Sequence, residues 1–139
     1  MNFPGWFPRR AAWLGAVLAV VGPDEVARSL SAGRAAHTPD GRTVIVYTPA
    51  AAIRDALSVL SGPLGGSTGF GLQIAEVPRT GPVVDCPGVE AAVRLAERAV
   101  PGQLLVSPVV RDLVASSGLS FAPAADDAYR PALPTPNPV

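Results

Sequence analysis

From Leu14 to Val21 nearly every position is apolar, and Gly22-Pro23 stops the run. Val17, Leu18, Val20 and Val21 in so short a stretch predict a buried strand. The period then changes. In "PDEVARSL" Pro23 suits a first helical turn, and Asp24 and Glu25 sit near the positive end of the helix dipole. A short helix is predicted there, ended by Gly33. "GRAAHTPDGRTVIVYTP" reads as a hairpin. Pro39 presets φ, Asp40 can close an Asx-type bond and Gly41 accepts positive φ. His37 falls at the hairpin end, and Thr43–Tyr47 is a β-branched strand. Thr48 and Pro49 open a helix with Ala50, Ile53, Leu57 and Leu60 at helical spacing, and Gly62-Pro63 closes it.

"LGGSTGFG" reads as a loop, "GLQIAEV" as a strand, and "TGPVV" as the opening of its return partner. In "GVEAAVRLAERAV" the residues Val89, Ala92, Val93, Ala96 and Ala99 form one apolar stripe, with Glu90, Arg94, Glu97 and Arg98 off it. Pro101-Gly102 breaks this helix and Gln103–Val106 is a strand. Ser107 caps a last helix begun by Pro108 and anchored by Val109, Leu113 and Val114. Alternating strands and helices of this kind predict an α/β or α+β sandwich, with helices covering one face of a mixed sheet. Beyond Phe121 the chain is mostly Pro and small residues, the composition of an extended tail. The expected division is an N-terminal segment 1–10, one domain over 11–121 and a disordered Pro/Ala-rich tail over 122–139.

Charge narrows the function classes. Eleven basic and eleven acidic residues cancel, so no basic field draws nucleic acid. One cysteine, Cys86, and one histidine, His37, leave neither a disulfide nor a Cys- or His-rich metal cluster. "LGGSTGFG" lacks the G-K-[ST] ending of a phosphate-binding loop. Arg9 and Arg10 before the first apolar run imitate an export signal. That run is too short to span a bilayer, so a membrane location is not expected. The strand reading implies a cytoplasmic chain; a signal or anchor is the alternative.

The order and spacing of these pieces resemble the catalytic domain of class III adenylyl and guanylyl cyclases. "VEAAVRLAERAVPGQLLVSPVVRDLV" is similar to that family's V-N-x-A-A-R-L, a few residues, G-[QE]-[IV]-L-[VL]-S and a helix. "HTPDGRTVIVYTPAAAIRDAL" is similar to its T-x-G-D-G-F-x-x-x-F hairpin and following helix, and "LQIAEV" stands where it has R-I-G-I-H-x-G. The resemblance covers about residues 33–121 and, much more weakly, residues 14–22, where "AVLAVVG" with Gly22 aligned stands for the family's first strand. It implies an α+β, ferredoxin-like α/β sandwich: a mixed, largely antiparallel sheet with helices packed on it. It also implies phosphoryl transfer, in which two aspartates hold two Mg²⁺ or Mn²⁺ ions on ATP or GTP. An Asn and an Arg one turn further act on the ribose and α-phosphate. Such sites form between two chains, so a homodimer, or a heterodimer with another cyclase-like chain, is implied.

Carried over position by position, the resemblance implies a degenerate and shortened domain. Asp40 matches the second metal aspartate, preceded by Pro39 instead of Gly, and Arg94 matches the transition-state arginine. The Asn position is Glu90, whose carboxylate repels a triphosphate and would engage Arg94 across one turn. The first metal aspartate position is Ala19. The expectation is therefore a catalytically inactive cyclase-homology domain with no metal cofactor, serving dimerisation or regulation in signal transduction. One alternative is a cyclase active only as a half-site in a dimer, with Mg²⁺ or Mn²⁺. The other is an unrelated α+β binding domain. For Asp40 and Arg94 the residues alone favour a turn residue and a solvated partner of Glu90.

Overall fold

In the computed structural model, residues 12–30, 33–78, 83–84, 86–114, 119–125 and 127–132 are described. The expected N-terminal segment 1–10 and residues 133–139 of the expected tail lie outside them.

The first apolar run becomes the axis of the sheet. β1 (Ala12–Val21) pairs antiparallel with β4 (Gly69–Pro78) along its whole length, from Ala12 opposite Pro78 to Val21 opposite Gly69. On its other side it pairs antiparallel with β3 (Thr43–Tyr47), which is joined by a hairpin to β2 (Arg34–His37). β5 (Gln103–Val106) runs parallel to β4, followed by β7 (Ala128–Ala132) and β6 (Ser120–Ala125), giving the order β2-β3-β1-β4-β5-β7-β6. The first four strands, with α1 (Asp24–Ser29) and α2 (Pro49–Leu60) between them, make a β-α-β-β-α-β unit of ferredoxin-like strand order. The fold is α+β, as expected.

Side-chain alternation then sorts the core into two layers. Ala16 and Leu18 of β1 point to one face, where Phe70 and Leu72 of β4 meet Val26 of α1 and Ile53 of α2. Val110 of α4 (Pro108–Leu113) joins that layer. Val17 and Ala19 point to the other face, under Val89, Ala92 and Ala96 of α3 (Pro87–Arg98). Helices thus cover both faces and not one. The reason lies at Gly71, where a Cβ would stand 2.3 Å from the Ala92 carbonyl oxygen and 2.4 Å from the Ala96 nitrogen. Only a glycine lets α3 lie so close to β4.

Four further details differ from the sequence expectation. Residues 122–125 and 128–132, expected in the tail, instead belong to strands β6 and β7, which extend the sheet through a Val106–Tyr129 pairing. Small residues and Pro masked their alternation. Phe121 and Tyr129 pack on the helical layer, Arg111 lies 4.3 Å over the Tyr129 ring, and exposed Pro123 is tolerated because β6 is an edge. Secondly, that added strand covers Leu95, absent from the expected stripe of α3, in a small cluster with Leu105 and Ala128. Thirdly, α4 is anchored by Val110 and Val114, one turn apart, while Val109 and Leu113 stay more than half exposed. A helix of six residues buries one stripe only. Lastly, Val83 bridges to His37 in parallel, at the β2 edge, and is not a return partner of β4. Among the described residues no helix is long and apolar enough to cross a membrane.

Candidate functional site

The β2–β3 turn is built by its own sequence. Gly41 N–H donates to the Thr38 carbonyl at 2.9 Å and Thr38 N–H to that of Arg42 at 2.9 Å, with Gly41 at φ 88°. This is a three-residue hairpin loop with a left-handed glycine at its end. The Thr38 hydroxyl accepts from Arg42 N–H at 3.0 Å and donates to the Asp40 carboxylate. That bond, aided by Arg42 nearby, holds the Asp40 carboxyl below the usual carboxylate range. The Thr38 hydroxyl thus closes the loop onto Arg42 N–H, and the backbone N–H groups of Asp40 and Arg42 also favour the ionised Asp40 carboxylate.

Helix α3 faces this turn across a cleft of about 450 Å³. The turn contributes Thr38, Pro39, Asp40 and Arg42, and the helix contributes Glu90, Arg94 and Glu97 above an apolar floor of Val84, Val89 and Val93. Asp40, Glu90 and Arg94, 54 positions apart at the extremes by their numbers, therefore line one space. Ala19 does not. It is 2% exposed, opposite Val44 on β1 in the layer beneath α3.

The charges pair differently from the expectation. Glu90 and Arg94 are both exposed, yet no ion pair joins them within 4.0 Å. Such an exposed contact is worth a few tenths of a kcal/mol, too little to hold two long side chains in one geometry. The cleft is instead spanned by Arg42, whose Nη1 pairs with Glu97 while its Nε lies 4.0 Å from Asp40. Sequence reasoning passed over Arg42. The available signal was its place directly after Asp-Gly, where the hairpin pattern of the resembled family has Phe. Glu97, 55 positions away, gave no signal at all.

The residues present do not fit a two-metal clamp. Of the two positions that the resemblance matches to metal aspartates, Ala19 carries only a methyl group, and the Asp40 carboxylate already has a hydroxyl and a guanidinium beside it. Among the described residues no group of three or more His, Cys, Asp or Glu side chains could hold a metal ion. Cys86 sits at the edge of the cleft with its Sγ 3.5 Å from the Glu76 carbonyl oxygen.

The architecture is that of class III nucleotidyl cyclase domains. An adenylate/guanylate cyclase/hydrolase from Silicibacter pomeroyi superposes with a TM-score of 0.62 at 18% identity, over 86% of this chain and 94% of that one. A dimeric guanylyl cyclase domain of the RhoGC fusion protein from the aquatic fungus Blastocladiella emersonii gives 0.61 at 11% identity, over 88% and 96%. The adenylyl cyclase CyaB from P. aeruginosa gives 0.58 at 9%, over 90% and 97%. The chain matches no protein-family model and no curated protein. The likeness is one of fold, and function has to be argued from the site.

Proposed function

We propose that the chain is a cyclase-homology module without cyclase activity of its own, acting by association with a second cyclase-like chain in signal transduction. One observation carries this reading: Ala19, which the resemblance matches to the first metal aspartate, is a methyl group sealed into the core. A lone carboxylate cannot position two divalent ions on a triphosphate. Losing that charge stabilisation costs several kcal/mol, and each ~1.4 kcal/mol is a factor of ten in rate. Glu90 adds an anion to the cleft that would receive a polyanion. The RhoGC domain has been solved both as a non-canonical dimer and as a monomer, so association with a second copy is compatible with this fold. Cytoplasmic location belongs to the same reading.

The test combines sedimentation of the purified chain with an assay for cyclic AMP and cyclic GMP in Mn²⁺ with ATP or GTP. Self-association without product is expected; product formed by the chain alone overturns the reading. A second reading is favoured by Arg94, which is exposed in the cleft and free of an ion pair to Glu90. In it the chain is a half-site that donates Arg94 to a catalytic partner. Activity that appears only on mixing with such a partner, and disappears with Arg94→Ala, selects it. An unrelated α+β domain would have been selected by a sheet lacking the ferredoxin-like strand order around the Asp40 hairpin, and that order is present.

A further inference from the structure

We infer that Arg42 is the resident cation of the cleft, a guanidinium shared between Asp40 and Glu97 that bridges the hairpin to α3 and competes with a divalent metal ion for the two acids. The inference rests on the reading above and deepens it, because it names what replaces the metals. Three observations converge. Arg42 is the one residue of the turn that reaches across the cleft, pairing with Glu97 on the opposite wall. Its Nε lies 4.0 Å from the Asp40 carboxylate, so one guanidinium faces both acids. The Arg42 backbone is pinned as well, its N–H held by the Thr38 hydroxyl that also bonds Asp40. A planar, always charged fork suits two carboxylates on different elements. A divalent ion would have to displace it and recruit further oxygens, since Mg²⁺ requires six ligands in near-octahedral array. The bridge is half-exposed at both ends, so it is reversible and screened by salt.

The experiment uses the full chain labelled with ¹⁵N, titrated with MnCl₂ and read by paramagnetic broadening of individual amides. In the unmodified chain, weak broadening spread over exposed acids such as Asp24, Glu25 and Asp112 is expected, with no saturable loss at Thr38–Arg42. Arg42→Gln should create saturable broadening at that turn and along α3 near Glu97, with affinity at least about tenfold higher than in the unmodified chain. Adding Asp40→Asn should abolish the gain, and Arg42→Lys should retain the exclusion. Saturable broadening at the turn in the unmodified chain overturns the inference, whatever the variants do. So does an Arg42→Gln chain that keeps its native spectrum and binds no better. Failure of this inference is separate from failure of the proposed function, which is read by cyclic nucleotide and not by metal binding.

Discussion

The two faces of α3 differ in what they demand. Its inner face is set by close packing: Val89, Ala92 and Ala96 lie against β1 and β4, and the helix backbone rests on Gly71. Its outer face carries Glu90, Arg94 and Glu97 into a cleft whose charges are tied by one surface bridge. The inner face needs particular atoms at particular places, so it keeps the shape of a cyclase domain. The outer face needs nothing for folding. Its charges can change and still leave the fold intact, so a shared fold need not carry a shared activity.

The sharpest way to break this contrast is to place a carboxylate at position 19. Ala19→Asp would bury an acid with no counter-charge in the layer beneath α3, so it should cost roughly 3–5 kcal/mol in urea unfolding and yield no metal site. A variant as stable as the parent would show that position 19 opens onto the cleft. Next in size is Gly71→Ala, whose new Cβ meets helix backbone at 2.3 and 2.4 Å. A loss of about 3 kcal/mol is expected from the displaced helix, with spectral shifts at Arg42 as Glu97 moves with α3.

The contrast also explains how much the sequence revealed. Elements governed by local chemistry were legible: the strand through Val17 and Leu18, the Pro39-Asp40-Gly41 turn, and Ser107, whose hydroxyl accepts from Val110 N–H at 3.3 Å. Elements governed by distant partners were not. The β6–β7 hairpin has little strand propensity and is held by what it meets, Tyr129 under Arg111 and Ala128 beside Leu95 and Leu105. Its invisibility also hid Leu95. The Arg42–Glu97 bridge links residues whose nearer charged neighbours, Asp40 and Arg94, offered more obvious pairings. Placing Asp40, Glu90 and Arg94 in one cleft followed from the resembled pattern, and the absence of a Glu90–Arg94 pair did not.

Smaller effects sharpen the comparison on the opposite face of the sheet. The Tyr47 hydroxyl donates to Asp55 at 3.0 Å, and burial first, then that acid, raise its phenol above the ordinary 10.0. Because the folded-state value lies above the unfolded one, its contribution is complete below about pH 10 and declines as pH rises further. Tyr47→Phe should cost about 1 kcal/mol at neutral pH and flatten the alkaline loss of stability. An unchanged alkaline profile would remove Tyr47 from the account. The smallest effects belong to the outer face of α3. Arg94→Ala and Glu90→Ala should each change unfolding free energy by less than about 0.5 kcal/mol. A loss above 1 kcal/mol would mean that these side chains hold the fold.

The most direct test is to follow cyclic AMP and cyclic GMP by mass spectrometry during long incubation of the purified chain with Mn²⁺ and ATP or GTP. The account predicts no product above a protein-free control. Accumulation proportional to protein concentration, and abolished by Asp40→Asn, would contradict it.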